Sequence, residues 1–343
     1  DGSGQVVFYH PADVVACWGN WLYIHVVGLF DTNVAAQADQ LRSAFIAAHP
    51  NVSYGTVVLH GGMTFIAILC GCMLAASGLL FQTAFKNPLA TPSMLGVADG
   101  VTLGCIIYAM TGHYFIGENP ALYLALIYGC GAATLVVVFL LSRVIAGGAK
   151  YNIFDMLLVG TVITQLLSGL NNHISNFVMD PTSWQYFYEL SQAYDALYEP
   201  MTYALVIVIA VLTIVPALLL RFRLNMLSFD DGTARVSGVR PGVLRGFALV
   251  LGSTMMLAAI ASIGQIAMLS LAVPFLVRYL LPSEFRYQLI GNFLLGSIVL
   301  LVCIIVQPYL TVGLTTMPIG TVVGVVIVPF FLFVVAFGFK GWA

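Results

Sequence analysis

Charged residues are scarce in this sequence. Asp, Glu, Lys and Arg make up 8% of its 343 residues, whereas 60% are hydrophobic and the mean hydropathy is +0.99. A soluble globular domain carries about 25% charged residues, so the composition excludes a water-exposed globule. The apolar runs are longer than core strands and lack the short alternation of an outer-membrane barrel. Because helices are the remaining way to satisfy the backbone in lipid, we predict an all-α polytopic membrane protein.

Motifs for catalysis and for metal binding are also missing. The sequence contains no G-x-x-x-x-G-K-[ST], since AGGAK at 146–150 lacks both the spacing and the hydroxyl. It has no H-E-x-x-H and no G-x-S-x-G, and its six Cys and six His follow no zinc-site spacing. We therefore predict a chain that is not an enzyme, binds no metal or cofactor itself and does not hydrolyse ATP alone.

Nine apolar stretches predict membrane-spanning helices. Before them, the segment 1–55 is mixed in character, and its Trp18, Trp21 and Tyr23 are typical of a membrane interface. We predict an extracytoplasmic segment at 1–55 and a transmembrane domain at 56–343. The predicted spans are 57–85, 94–112, 120–142, 153–171, 201–221, 243–262, 266–281, 288–308 and 319–339.

The positions of Lys and Arg predict the orientation. If the loop with Lys86 is cytoplasmic and the spans alternate, all twelve Lys and Arg except Arg42 fall in cytoplasmic loops or at the C-terminal end. This is the distribution that the positive-inside rule describes. We therefore predict a bacterial inner-membrane protein with a cytoplasmic C-terminus. With nine spans, the N-terminal segment lies outside. If one further helix precedes Asp1, both ends of the chain are cytoplasmic.

Two acids, Asp99 and Asp155, lie inside predicted spans. Both are expected near cytoplasmic helix ends, where the helix N-terminus favours a carboxylate. An ion-coupled secondary transporter would need an ionisable residue deep in the membrane. A carboxylate at mid-membrane would therefore favour that alternative, and a channel or scaffold is the other.

The largest predicted cytoplasmic loop has the pattern of a short capped helix. Ser228 can cap it, Asp230 and Asp231 fit its first turn, Gly238 can end it, and Pro241 can begin the next segment. Such a helix suits docking into a groove on a partner protein. A solvated linker is the alternative.

Four motifs, in order along residues 56–340, resemble the permease subunits of type II ABC importers for iron-siderophores, haem and vitamin B12. The elbow that begins at Asn87 resembles the family's Asn-Pro-Leu-Ala elbow, and 228–239 resembles its Leu-Gly-Glu-Glu…Ala-Arg-Ser-Leu-Gly-Val coupling loop. The stretches 263–278 and 317–332 resemble its Gly-Pro-Ile-Gly…Val-Pro-His-Leu-Ala-Arg and Leu-Pro-Ile-Gly…Ala-Pro-Phe-Phe segments.

The resemblance implies a permease with the fold of the vitamin B12 permease, which typically has ten spans. It implies alternating-access import of an iron-siderophore, with haem or cobalamin as alternatives. The implied partners are ABC ATPases that carry ATP and Mg, an identical or different second permease subunit, an extracytoplasmic substrate-binding protein and membrane lipid. No nucleic acid is implied.

The resemblance also assigns residues. The coupling loop, 222–243, would contact the ATPase through Ser228, Asp230, Asp231, Gly232, Thr233, Ala234, Arg235 and Gly238. The elbow motif comprises Asn87, Pro88, Leu89, Ala90 and Gly96. Polar residues of two spans are predicted to line the pathway or to form interhelical hydrogen bonds: Thr161, Thr164, Gln165, Ser168, Ser262 and Gln265.

The sequence departs from the family pattern in three ways, two at the predicted outer face and one in the predicted span 266–281. His60–Met63 stands where the family has Leu-Pro-Arg, Phe275 replaces a His, and Arg42 is the one predicted outer cation. Family members use outer arginines to bind acidic residues of the binding protein. Here the partner permease would supply them, or the contact would be aromatic and polar.

Overall fold

The computed structural model describes residues 16–17, 20, 37–48, 54–111, 119–145, 153–184, 187, 200–229, 231–307, 310–312 and 315–338. The chain forms two compact units, residues 1–65 and residues 66–343. The first unit contains helix α1 (Ala38–Ala48), on which Arg42 is exposed. Among the predicted residues, Trp18, Trp21, Tyr23 and Asp230 lie outside the described part, as do the side chains of His60 and Met63.

Helices dominate the described part of the chain, with short 3-10 turns at Pro92–Leu95 and Met226–Ser228 and a π-helical turn at Ile174–Val178. Strands β1 (Thr311–Val312) and β2 (Thr315–Thr316) pair antiparallel, Thr311 with Thr316 and Val312 with Thr315. The remaining helices are α2 (Tyr54–Phe85), α3 (Val97–Thr111), α4 (Pro120–Ile145), α5 (Ile153–His173), α6 (Pro200–Leu219), α7 (Arg221–Asn225), α8 (Asp231–Val236), α9 (Pro241–Ile263), α10 (Ala267–Leu280), α11 (Phe285–Val306) and α12 (Ile319–Gly338).

Each predicted span coincides with one long helix, so the prediction of an all-α polytopic fold is confirmed. Five of these helices, α2, α4, α6, α9 and α11, contain a stretch that is long and apolar enough to cross a membrane. The apolar parts of α3, α10 and α12 are shorter. Pro274 lies inside α10, where its ring removes one helical hydrogen-bond donor.

Helices α2 and α9 form the centre of the second unit. Their most apolar windows are 72% and 78% buried, against 28%, 33% and 28% for those of α4, α6 and α11. Small residues let neighbouring helices approach α2 closely. Gly71 faces the backbone of Gly296 on α11, and Gly78 lies against the carbonyl oxygen of Ser270 on α10. A methyl group at either glycine would overlap that backbone.

The predicted elbow follows α2. Lys86 has a left-handed backbone with φ 50°, and Asn87 N–H donates to the Gln82 carbonyl at 3.1 Å, which ends the helix. The Asn87 side chain accepts from Leu89 N–H at 3.0 Å. After the 3-10 turn, Gly96 with φ 72° leads into α3. A Cβ there would lie 3.2 Å from a Thr134 methyl and 3.3 Å from the Thr164 hydroxyl, so the positive φ and these tight contacts favour glycine.

The elbow rises into the helix bundle, which corrects the expected depth of Asp99. The amide of Asn171 donates to the Asp99 carbonyl at 2.9 Å, and Asn171 lies about 27 Å along α5 from its first residue. Gly100 packs against the middle of α4, beside Thr134. Asp99 is therefore near mid-bundle, because the chain climbs through the elbow before the helix resumes. Asp155 is in the first turn of α5, as predicted.

Candidate functional site

The predicted helix in the coupling loop exists as α8. It ends at Gly238, whose φ is 77°. Val239 N–H donates to the Ala234 carbonyl at 3.1 Å, and Gly238 N–H donates to the Arg235 carbonyl at 3.0 Å. This pair of hydrogen bonds is the Schellman motif, which satisfies the last carbonyls of a helix. Pro241 then begins α9, also as predicted.

The prediction that Asp231 lies in the first turn of this helix is confirmed, but the predicted cap at Ser228 is wrong. Ser228 ends the preceding 3-10 turn, and α8 begins at Asp231. Ser228 is therefore too far from the helix to cap it. The exposed backbone carbonyl of Phe229 accepts a hydrogen bond from Lys86, which lies in another part of the chain.

The carboxylate of Asp231 binds two cations. Arg245, on α9, donates through Nη1 to Oδ2 at 3.1 Å and through Nη2 to Oδ1. Lys86 Nζ donates to Oδ1 of the same carboxylate at 3.3 Å and to the Phe229 carbonyl at 2.7 Å. Hydrogen bonds from Arg245, and next from Lys86, hold the pKa of Asp231 below its usual value of 3.8. The carboxylate thus stays charged at neutral pH.

These contacts join two motifs that the sequence kept separate. Lys86 and Asp231 are 145 residues apart, yet they bring the elbow against the coupling loop. Sequence reasoning assigned Asp231 to the partner-facing surface and did not single out Lys86 as a functional residue. The available signal was a lysine directly after a helix and before Asn-Pro, where glycine is the usual helix terminator.

The opposite side of the coupling loop is open. Val236, at the end of α8, is 91% exposed, and Phe229 is half exposed. The predicted coupling residues Gly232, Thr233 and Arg235 are also exposed. Ala234 is buried and anchors α8 to the rest of the unit. The loop therefore presents a protruding, partly apolar surface beside Asp231, whose carboxylate contacts Lys86 and Arg245.

The elbow residues divide in the same way. Asn87, Pro88 and Leu89 are exposed next to the coupling loop, whereas Ala90 and Gly96 are buried. Gly96 lies beside Thr164 on α5. The elbow motif therefore connects the surface of the coupling loop with the interior of the bundle.

The residues predicted to line a pathway fall in separate places. Thr161, Gln165 and Ser168 are exposed on α5. Thr164 is half-buried, and its hydroxyl donates to the Gly160 carbonyl at 2.8 Å beside the 3-10 turn of the elbow. Ser262 is fully buried, and its hydroxyl donates to the Ala258 carbonyl at 2.7 Å.

Gln265, the remaining residue of that set, lies in a cleft. We call this the Gln265 cleft; its volume is about 410 Å³. Gln265 Nε2 donates to the Thr102 hydroxyl and to the Ala98 carbonyl, the latter at 3.5 Å. Gly320 packs directly on the Gln265 carbonyl. The lining residues are Thr102, Phe187, Ile263, Gly264, Gln265, Pro318, Ile319, Gly320 and Thr321.

No Lys, Arg, Asp or Glu is among the described residues that line the Gln265 cleft. The nearest acid along α3 is Asp99, one helical turn before Thr102. Its side chain is half-buried and forms no ion pair with the described residues. The cleft itself therefore offers hydroxyl, amide and backbone groups to a bulky polar molecule.

Phe275 stands where the resemblance led us to expect a His. Its ring packs edge-to-face on Phe331 of α12, with 5.2 Å between the ring centroids. The aromatic pair joins α10 to α12 within the second unit. This position therefore makes an apolar contact between helices.

Comparison with known proteins identifies one transport family and several permease relatives. The model of the FecCD transport family matches residues 22–337. A probable iron chelatin transport system permease protein of Helicobacter pylori is 29% identical over 267 residues, 78% of each chain. A probable heme-iron transport system permease protein, IsdF, of Staphylococcus aureus is 30% identical over 240 residues, 69% of this chain and 68% of that protein. The iron-uptake system permease protein FeuB of Bacillus subtilis is 27% identical over 277 residues.

Solved structures share the fold. A metal-chelate type ABC transporter in an inward-facing conformation matches with a TM-score of 0.70 and 24% identity, over 80% of this chain and 86% of that one. PsaBC from Streptococcus pneumoniae, in complex with Fab, matches with a TM-score of 0.58 and 14% identity, over 80% of this chain and 90% of that one.

Proposed function

The chain belongs to the FecCD transport family, and from that membership we propose that it is the permease subunit of an ATP-driven ABC importer for an iron chelate. The cargo would pass from a substrate-binding protein into the cytoplasm by alternating access. The names of its relatives, which refer to iron chelatin, haem iron and iron uptake, support this cargo class. Among iron chelates we place an iron-siderophore first, then haem; a cobalamin is the other alternative.

The coupling loop is the observation that carries this proposal. A capped helix of six residues projects an exposed apolar end, Val236, next to the buried anchor Ala234. An exposed valine on a rigid projection gains free energy when a partner's groove covers it. The proposed partner is an ABC ATPase, which would hold ATP and Mg and hydrolyse ATP for transport. We accordingly propose that the coupling loop and the C-terminus lie in the cytoplasm.

The exposed side of α5 supports a second permease subunit as the next partner. An apolar row at four-residue spacing, Leu158, Val162 and Leu166, is exposed there. Beside it lies the exposed side chain of Gln165, whose amide would find no hydrogen-bond partner among lipid tails; the Thr161 hydroxyl donates to the Leu158 carbonyl at 2.9 Å. A facing subunit, identical or different, would cover this surface and enclose the pathway. The Gln265 cleft would then form part of the route of the cargo.

An ion-coupled secondary transporter is the second candidate, and one observation favours it. Asp99 is a carboxylate near the middle of the bundle, and such residues often carry the coupling ion in transporters. Family membership outweighs this observation because FecCD relatives include permeases of named iron-uptake systems. The two candidates differ in whether transport needs ATP.

Co-purification with an ABC ATPase encoded beside this chain tests the proposal. We expect the detergent-solubilised native protein to retain the ATPase, and Gly232→Trp and Val236→Asp in the coupling loop to lose it. Val144→Asp is the matched control, since Val144 is 76% exposed at the end of α4, away from the coupling loop. In proteoliposomes, uptake of radioactive iron on a siderophore or in haem should require ATP. Uptake without ATP and without a retained ATPase would reject the proposal.

A further inference from the structure

Three charged side chains connect three separate elements at the coupling loop. We call Lys86, Asp231 and Arg245 the charge latch. Lys86 ends α2, Asp231 begins α8, and Arg245 lies in the first part of α9. Both cations bind the one carboxylate of Asp231. The latch therefore ties the moving part of the proposed coupling surface to both central helices of the bundle.

The two arms of the latch differ in exposure. The Arg245 side chain is 14% exposed and binds Asp231 through both of its terminal nitrogens, a geometry that fixes orientation as well as distance. In the pair of Lys86 and Asp231 the side chains are 37% and 41% exposed. Ion pairs between side chains this exposed are weak and easily broken. The ion pair of Asp231 with Arg245 is therefore the persistent one, and the ion pair of Asp231 with Lys86 is the one that breaks readily.

The backbone of Lys86 indicates that its side chain is needed at this place. With φ 50° it occupies the left-handed position after a helix, where glycine is preferred and a side chain is strained. Its ammonium nevertheless makes two contacts with the coupling loop, to Phe229 and Asp231. Strain at a non-glycine residue persists where the surrounding contacts favour it, and often marks a functional position.

Both arms lead to the Gln265 cleft. From Arg245, α9 runs to Ile263 at the wall of the cleft. From Lys86, the elbow runs through Gly96 into α3, whose Thr102 lines the same cleft. The paths meet where Gln265 donates to Ala98 and Thr102. A displacement of α8 therefore has two continuous routes to one place.

We propose that the charge latch transmits movement of the coupling loop to the Gln265 cleft, and that Asp231 is a positioning residue rather than a docking residue. The inference rests on the proposed function, since the movement comes from the ATPase. Asp231 points toward Lys86 and Arg245, while Val236 offers the surface for the partner. Removing the latch should therefore separate binding of the ATPase from opening of the cleft.

The test follows the cleft through a reporter cysteine, Thr321→Cys, at an exposed residue of its lining. The complex of permease and ATPase is labelled with a membrane-impermeant maleimide, with and without a non-hydrolysable ATP analogue. The same complex without Thr321→Cys supplies the blank for the six native cysteines. We expect nucleotide to change the labelling rate in the native latch by about five-fold or more, the lower end of allosteric coupling.

Asp231→Asn and Lys86→Gly should abolish that change while the ATPase stays bound. Lys86→Gly removes the ammonium but places the preferred residue in the left-handed position, so its folding is not at risk. Asp231→Glu keeps the charge and should restore the change. The matched control is Arg286→Gln, which removes an equally exposed pair, Arg286 and Glu284 at 2.7 Å, that joins only near neighbours in sequence.

The outcomes distinguish a role of Asp231 in transmitting movement from a role in docking the ATPase. Loss of the labelling change in both variants, with the ATPase bound and rescue by Asp231→Glu, supports transmission through the latch. An unchanged nucleotide response in Asp231→Asn overturns it. Loss of ATPase binding in parallel with the response also overturns it, because Asp231 would then be a docking residue. If the native protein itself binds no ATPase, the proposed function fails, and the inference fails with it.

Discussion

Truncation of Val236 to alanine is expected to weaken binding of the ATPase about tenfold. The side chain is 91% exposed at the end of α8, so almost all of it is available for burial in a partner's groove. Val236→Ala removes two methyl groups, each worth about 0.8 kcal/mol when buried, or about 1.5 kcal/mol together. That free energy corresponds to a factor of roughly ten in the dissociation constant. Titration of the ATPase against the permease in lipid nanodiscs measures it.

The same truncation at Val144 provides the control. Val144 is exposed in the last turn of α4 but is not part of the coupling loop. Val144→Ala should leave the dissociation constant unchanged, and both variants should unfold at the temperature of the native protein. Equal affinity of the native protein and Val236→Ala would show that α8 does not enter the groove. The argument from its exposed apolar end would then be refuted.

Three further perturbations test the packing, the mid-bundle acid and the latch. Gly78→Ala should destabilise the protein by about 1–3 kcal/mol through overlap with the Ser270 backbone, whereas Gly246→Ala, which meets open space, should not; thermal unfolding in detergent measures both. Asp99→Asn should leave uptake dependent on ATP and insensitive to an imposed proton gradient, and loss of all uptake with native ATPase binding would favour the ion-coupled candidate. Because the pKa of Asp231 is lowered mainly by Arg245, its contribution to stability is present above the usual value of 3.8 and is lost as the pH falls through the lower folded value. The difference in unfolding temperature between native protein and Asp231→Asn should accordingly be constant between about pH 5 and pH 8 and shrink only under strong acid, and a change near neutral pH would contradict this assignment.

The sequence predicted those features that depend on local order. Long apolar runs gave the positions of the nine long helices in the described part of the chain within a few residues, since membrane helices must satisfy their backbone internally. Gly238 and Pro241 marked a helix end and a helix start because their backbone preferences act at one residue. The resemblance added the family, which the match over residues 22–337 supports.

Features that depend on contacts between distant residues were not predicted. Nothing local to Lys86 or Asp231 indicates that they bind each other across 145 residues. The polar residues of α5 illustrate the same limit, since helical spacing placed Thr161 and Gln165 on one side but did not show what covers them. Ser262 was predicted either to line the pathway or to form an interhelical hydrogen bond, and packing between helices buries it completely.

The elbow explains why Asp99 lies inside the bundle, and this position gives the acid a structural role. Between Asn87 and Gly96 the chain forms only the 3-10 turn Pro92–Leu95, and α3 begins at Val97 inside the bundle, where its first N–H groups have no α-helical partner. Water does not reach such groups in a bilayer, and irregular backbone at this depth is tolerated only inside protein. Asp99 lies in the first turn of α3, where the positive end of the helix dipole favours a carboxylate. An acid in the first turn therefore stabilises the start of α3, and the proposed ATP-dependent import needs no ion at Asp99.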